Sequence, residues 1–482
     1  MNDFLDVAEI ISILHGFNPW WGGKGYHVAE FRRLAYQTCR RYLDDKTLRR
    51  AVLLSGPRRV GKSTILTQTA DALIAEGSDA RSVLYLSLDH PLLKLLTLPE
   101  IIRIYHEHIY PQGKPAVLLL DEVQYSGEWE LQVKQLIDHH PEYRILATGS
   151  ASVVHAQKLT ESGVGRWIKV PIPTLSFYEF LRIRAEELPP IREDLRPSDL
   201  FEMQRAELAE LETKMRPLMP LFQRYLLVGG FPETARQTDF ALCQRLLRED
   251  VVERVLKRDM TALFGIRNVN DLEKLFIYLC LNSGGIFAVQ KCASSLGVSV
   301  TTVSNHLTAL EQANLIYRLA PAGLGGKKLL KQRYKIYLVD AALRNAVLLR
   351  GEEILSNPQE MGGIVETTVL RHLYAYYYRD TPEIIYWRDA ATEKEVDIIV
   401  RSPSYTIPVE IKYQENARLD AKAGLLTYCA QEKNISFAYW VTQSGRDFEA
   451  VPLEGSTAKV LRIPAHIFVY LIGQAERLLW TK

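Results

Sequence analysis

The sequence predicts an α/β protein: a parallel sheet built around a phosphate-binding loop (P-loop), then a helical lid, a winged-helix domain and a C-terminal α/β domain. Three observations carry that prediction. The apolar run Ala51-Val-Leu-Leu54 leads into a glycine loop and then a helical pattern. A second apolar run, Ala116-Val-Leu-Leu-Leu120, ends in Asp121-Glu122, and strands alternate with helices between the two. Further on, three short helical patterns precede a basic hairpin.

The loop comes first because its spacing is the most specific. Gly56, Pro57, Arg58, Arg59, Val60, Gly61, Lys62, Ser63 and Thr64 contain the pattern Gly, four residues, Gly-Lys-Ser, and form the expected ATP-binding segment. The glycines let backbone N–H groups curl inward onto phosphate oxygens, and the helix starting near Lys62 adds its positive end. Lys62 is expected at the β- and γ-phosphates, and the Ser63 hydroxyl on Mg2+. Asp121 is expected to hold Mg2+ through water, and Glu122 to orient or deprotonate the attacking water. The implied activity is ATP hydrolysis, with ATP and Mg2+ as cofactors.

The strand 144–150 ends in Thr148-Gly-Ser150, where a hydroxyl could sense the γ-phosphate or simply close a turn. Arg166 could act as an arginine finger, in cis or from a neighbouring subunit of a homo-oligomer, or be an ordinary surface arginine. Before the sheet, Trp20 and Trp21 are expected to pack onto the core, and Arg32, Arg33, Arg40 and Arg41 to form a solvated face. After it, 184–217 reads as a mostly exposed helical excursion, and 249–260 as a charged linking helix.

Between 272 and 310, apolar spacing gives three helices with a Gly297 turn before the third, which Ser299 caps. Thr301, Thr302, Ser304, Asn305, His306 and Thr308 are expected to face outward, suited to phosphates and base edges. The segment 327–335, with Lys327, Lys328, Lys331, Arg333 and Lys335, reads as the basic wing, so DNA is the expected partner. A wing used only for protein packing is the alternative.

In the last third, strand alternation puts Glu410 and Lys412 on one face. Asp397 on a neighbouring strand and Glu366 on a helix could join them. Three carboxylates and a lysine would form a metal-dependent nuclease site: Glu366, Asp397 and Glu410 as ligands, Lys412 as a catalytic group.

Composition adds limits. The chain has 482 residues and a formal charge of +2, so nucleic-acid binding must come from local charge. Its five cysteines are scattered, without a zinc or disulfide pattern. No apolar run approaches a membrane span, and the N-terminus lacks a signal-peptide pattern. The expectation is a cytoplasmic protein with no membrane partner. The expected domains are a helical lead-in (1–45), ATPase core (46–180), lid and linker (181–265), winged helix (266–340) and nuclease-like domain (341–482).

The ordered motifs resemble the prokaryotic AAA+ superfamily ATPases fused to a C-terminal domain of unknown function. The marks are Asn18-Pro-Trp-Trp21, the loop at 56–63, Asp121-Glu-Val-Gln124, Thr148-Gly-Ser150, Gly165-Arg166, Gly229-Gly-Phe-Pro232, Lys335-Ile-Tyr-Leu-Val-Asp340 and Val409-Glu-Ile-Lys412. The resemblance implies a central winged helix, a C-terminal part similar to the PD-(D/E)XK nuclease fold, and a finger role for Arg166. Val396 stands where that nuclease pattern has proline. Two functions follow: a DNA-directed ATPase with a possible nuclease activity, or a nucleotide-switched signalling or scaffolding ATPase whose nuclease-like domain is inert.

Overall fold

The structure is a computed structural model. It describes residues 6–149, 165–323, 333–389, 391–415, 419, 423–432, 434–446, 448–453 and 458–481. Ser150, Lys327, Lys328 and Lys331, with the expectations placed on them, lie outside the described residues. The chain divides into two compact units, one running to Ile172 and one from Pro173 to Trp480.

The first unit is a five-stranded parallel sheet: β1 (Ala51–Ser55), β2 (Val83–Ser87), β3 (Ala116–Asp121), β4 (Tyr143–Gly149) and β5 (Trp167–Pro171). The spatial order is β2-β3-β4-β1-β5. Every residue of β1 and β3 is buried, as both-faced coverage by helices requires. The helices are α1 (Val7–Phe17), α2 (Ala35–Asp44), α3 (Lys62–Ala75), α4 (Leu98–His108) and α5 (Trp129–His139). Local chemistry sets their starts: Asp6 caps α1, and a Thr97/Glu100 capping box opens α4.

Strand β2 is an edge, and Asn18-Pro-Trp-Trp21 covers it. The Asn18 side chain donates to the Tyr85 carbonyl (2.9 Å) and accepts from the Tyr85 N–H (2.6 Å). The Trp20 and Trp21 indoles both donate to the Val83 carbonyl (3.1 and 3.0 Å). Both rings are buried, as expected, and backbone groups that would invite another strand are satisfied.

The second unit holds α6 (Phe177–Ile183), α7 (Arg205–Met215), α8 (Met219–Val228), α9 (Pro232–Arg236), α10 (Phe240–Leu246) and α11 (Met260–Phe264). Residues 184–217 are mostly exposed, as expected, but they carry a buried apolar side. Leu200, Phe201, Leu208, Leu211 and Met215 are buried, and Phe201 packs on Phe437 and Tyr439. Leu247–Glu253 and Val255–Asp259 are π-helical, with Val251, Val252, Val255 and Leu256 buried.

Next come α12 (Val269–Leu281), β6 (Ile286–Phe287), α13 (Val289–Leu296), α14 (Val300–Gln312), β7 (Ile316–Pro321) and β8 (Tyr334–Leu338). Ser299 accepts from the Thr302 N–H and caps α14 as expected. His306 does not face outward. It shares the buried side with Val303, Leu307 and Leu310, and burial lowers its pKa against the opposing charge of Asp271. Ser304 and Thr308 spend their hydroxyls on backbone carbonyls one turn back, and Thr302 spends its own on Ser299.

The remaining elements are α15 (Ala341–Leu348), α16 (Pro358–Tyr377), β9 (Glu383–Arg388), β10 (Glu395–Arg401), β11 (Thr406–Lys412), α17 (Gly424–Gln431), β12 (Phe437–Thr442), β13 (Glu449–Pro452), β14 (Lys459–Pro464) and α18 (Ala465–Thr481). Strands β6 to β14 form one sheet, ordered β13-β14-β12-β11-β10-β9-β7-β8-β6. Ala320 pairs with Ile385 and Pro321 with Tyr386, so the hairpin strands and the C-terminal strands are hydrogen-bonded across the expected boundary at 340. The marks 229–232 and 335–340 also meet: Asp340 accepts from the Gly230 N–H at 2.9 Å.

Candidate functional site

The first site sits where β1, β3 and β4 end. Gly56 follows β1 directly, and a Cβ there would lie 2.0 Å from the Ile172 carbonyl oxygen, so only glycine fits. Gly61 opens α3 at φ 92°, a left-handed turn into the helix. Pro57 and Val60 are buried, Arg58 is half-buried and donates to the Tyr125 hydroxyl (3.1 Å), and Arg59 is exposed with φ 64°. Lys62 is buried and donates to the Gly56 and Pro57 carbonyls, both at 2.8 Å. Ser63 is exposed and Thr64 half-buried in the first turn of α3.

Strand β4 lies between the two motif strands, pairing Leu54 with Thr148 on one side and Leu120 with Ala147 on the other. That puts Thr148 beside Asp121-Glu122. Its hydroxyl donates to one Asp121 oxygen, while the Glu122 N–H donates to it at 3.0 Å. The other Asp121 oxygen accepts from the Tyr85 hydroxyl at 2.9 Å. Glu122 has φ 55°, and its carboxylate accepts from the Gln124 amide. Thr148 therefore organises the acidic pair.

Arg33 was expected on a solvated face. It is buried, and its guanidinium donates to the Val60 carbonyl at 2.6 Å, beneath the glycine loop. Arg166 lies elsewhere. Trp167 pairs with Ala51, so Arg166 stands beside the start of β1, about 13 Å of strand from the loop at its far end. Its Nε lies 2.7 Å from Asp138. Arg166 does not reach the glycine loop of its own chain.

The second site is in the C-terminal sheet. Ile398 pairs with Val409, so Asp397 and Glu410 face each other one step further along. A β-bulge between β10 and β9 adjoins Asp397. Asp397 accepts from the Ile411 N–H (2.9 Å) and Glu410 from the Leu425 N–H (3.0 Å). Lys412 lies 2.9 Å from Glu410.

Glu366, Asp397, Glu410 and Lys412 thus converge, but three carboxylates close on an ammonium. Lys335 of β8 lies 2.9 Å from Asp397 and 3.1 Å from Glu366, and also pairs with Glu395. Tyr337, two residues on, donates to Glu366. Lys335 closes the segment expected to form the basic wing, and only 3% of its side chain is exposed. Among the described residues, no group of three or more His, Cys, Asp or Glu side chains is disposed to hold a metal ion. The expected ligand set of Glu366, Asp397 and Glu410 is divided between Lys335 and Lys412.

Electrostatics follow that geometry. Burial and then the Asp397 charge push Glu366 to about 7, and the same two causes push Glu410 to about 7. Burial opposes ionisation of Asp397 too, but the Lys335 and Lys412 ammonium groups hold its pKa below the ordinary value. Burial disfavours the Lys335 ammonium, and the charges of Asp397 and Glu366 more than offset it.

Residues 48–181 match the family model of an AAA domain. The chain contains an AAA ATPase domain. Residues 219–353 and 361–465 match two domains of unknown function, DUF8612 and DUF4143. An uncharacterized protein of Haemophilus influenzae is 24% identical over 75% of this chain and 82% of its own length. One of Methanocaldococcus jannaschii is 24% identical over 78% and 77%. Among solved structures, the RuvB Holliday junction branch migration motor of Thermotoga maritima is 18% identical, covering 59% of this chain and 88% of that one, with a TM-score of 0.27. In the described residues no helix is long and apolar enough to cross a membrane.

Proposed function

We propose that the chain is a Mg2+-dependent ATPase that acts on DNA. The observation that carries the ATPase reading is the hydrogen-bonded set Asp121–Thr148–Glu122 on strands flanking the glycine loop. Lys62 would exchange its two loop carbonyls for phosphate oxygens, which keeps its charge solvated by protein in both states. The Ser63 hydroxyl and Asp121 carboxylate fit a hard divalent cation, because both offer oxygen and Asp121 has acceptor capacity beyond its two donors. Bound Mg2+ would neutralise charge developing on the phosphates. Glu122, held by Thr148 and Gln124, would take the proton of the attacking water. Arg166, remote from its own loop, would serve the loop of a neighbouring copy, which makes the active form a homo-oligomer.

DNA binding rests on the element order α12-β6-α13-α14-β7-β8, with β8 hydrogen-bonded between β6 and β7. That order is the one a winged helix would have. Thr301 and Asn305 are the exposed polar residues of α14, and Arg333 is exposed where β8 begins. The C-terminal domain supports a second reading, a nuclease, on one observation: Asp397 faces Glu410 with Lys412 two residues on.

The test is ATP turnover and DNA affinity as salt is varied. Phosphate contacts release counterions, so affinity should fall steeply with salt, and replacing Lys327, Lys328, Lys331 and Arg333 by Gln should flatten that slope. Turnover indifferent to DNA, with unchanged affinity in the neutralised variant, would leave the nucleotide-switched scaffold as the better account.

A further inference from the structure

Three neighbouring strands of the first unit carry an arginine at one level, where they begin. Val52 pairs with Leu146 and Ala51 with Trp167, both in parallel register. The same register sets Arg50 level with Arg144 of β4 on one side and with Arg166, just before β5, on the other. Neighbouring strands lie about 4.8 Å apart, so the three backbone positions fall within about 10 Å. Like charges so placed repel one another. Two of them are compensated: Arg144 lies 2.8 Å from Asp44 and Arg166 2.7 Å from Asp138. Arg50 is left without such a partner. Among the described residues, Lys46, Arg49 and Arg50 are exposed and have no carboxylate within ion-pair distance.

These three cations and Arg144 line one cleft of about 540 Å3. Its inner wall is apolar, with Leu43, Ile137 and Ile145 buried there. Cations over a concave, low-dielectric wall focus positive potential into the opening. Four cations face two acids, and both acids are engaged: Asp45 accepts from the Thr47 N–H and hydroxyl, and Glu142 lies 3.1 Å from the His140 Nδ1. The cleft is at the strand starts, the opposite end of the sheet from the glycine loop, so its cations are not part of the nucleotide site. A site for one phosphate would converge on it, whereas these cations are spread along the cleft. That spread fits a linear polyanion, whose charges repeat along its length. The row is narrower than the major groove of a duplex, about 12 Å, and suits a single strand.

We propose that this cleft binds the phosphate backbone of a single nucleic-acid strand, with Lys46, Arg49 and Arg50 as its phosphate contacts. The proposal rests on the reading that the chain acts on DNA, and it adds a contact on the first unit to that of the winged helix. It needs neither ATP turnover nor the trans role of Arg166.

The test is binding of labelled oligo-thymidylate to the full chain without nucleotide, read by fluorescence anisotropy as salt is raised. The parent is compared with the triple variant Lys46→Gln, Arg49→Gln, Arg50→Gln. Each phosphate contact to a single strand contributes about 0.7 to the slope of log affinity against log salt, so losing three should flatten it by about 2. Between about 50 and 200 mM salt the parent should then lose about 20-fold more affinity than the variant. The three side chains are exposed and make no ion pair, so the melting temperature should not fall. Neutralising Arg216, Arg245 and Lys257, exposed cations of the second unit, removes the same charge and should leave the slope alone. Equal slopes in parent and triple variant, while replacement of Lys327, Lys328, Lys331 and Arg333 flattens binding to a duplex, would overturn the cleft and leave the DNA reading standing. No binding of either probe by the parent would overturn both. Equal flattening by the control substitutions would reduce the effect to net charge, and displacement of the strand by low-millimolar inorganic phosphate would reduce it to a single-phosphate site; either would overturn the proposal.

Discussion

Replacing Thr148 by Ala removes two hydrogen bonds at once. One is donated to the buried Asp121 carboxylate and the other accepted from the Glu122 N–H. A hydrogen bond to a charged group contributes about 1.5–3 kcal/mol and a neutral one about 1 kcal/mol. The two share one hydroxyl and are not additive, so the expected loss of stability is about 2–3 kcal/mol. For a unit of this size that corresponds to a melting temperature lower by about 4–12 °C. The catalytic effect should be larger than the binding effect. Glu122 sits in the left-handed region at φ 55°, where a non-glycine residue is held only by its surroundings. Without the Thr148 oxygen its backbone is free to leave, and the turnover number should drop by at least about 10-fold, toward the 100-fold or more a general base contributes. The loop and Lys62 are untouched, so the nucleotide Kd should move by less than about 3-fold. Thr148→Ser keeps the hydroxyl and should recover most of the rate. Steady-state ATP hydrolysis beside fluorescent-nucleotide titration reads both quantities. Parent-like turnover in Thr148→Ala, or loss of nucleotide binding with turnover per bound nucleotide intact, would refute this role.

Arg166→Ala should bind ATP normally and turn it over slowly, and mixing it with Lys62→Ala should restore activity if one chain supplies the finger and the other the loop; mixtures no more active than their parts would exclude a trans role. Stability of the second unit should fall as pH rises from about 4.5 to about 7. Glu366 and Glu410 hold protons up to about 7 when folded but release them near 4.5 when unfolded, so the native state binds more protons in that window. Asp397, held low, acts below that window: its contribution is lost as pH falls through its folded pKa. Glu410→Gln removes one of the two titrations and should flatten the slope of urea midpoint against pH; an unchanged slope would contradict the assignment.

The glycine loop and the acidic strand end were legible because their signal is local: strand, loop and helix follow one another in fixed order. Arg33 was not, because its partner is a backbone carbonyl 27 residues away, and nothing in Arg32-Arg33 marks one arginine as buried. His306 could have been found. It lies three residues after Val303 and four before Leu310, on the apolar side of the same helix. Lys335 was hidden by its neighbours, since it closes a run of cations. The available signal was Lys335 followed by Ile336, Tyr337, Leu338 and Val339: a lysine opening a buried apolar run needs a carboxylate. Within 184–217 the burial of Phe201 was not legible, because the rings it packs on, Phe437 and Tyr439, lie over two hundred residues on.

The most direct measurement is nucleotide binding and turnover in Glu122→Gln beside Lys62→Ala, with Mg2+ present. Glu122→Gln preserves the shape of the site and removes only the base, so it should bind ATP as the parent does and fail to hydrolyse it. Lys62→Ala should lose binding. Hydrolysis by Glu122→Gln at the parent rate, or ATP binding by Lys62→Ala with parent affinity, would contradict the account of this site.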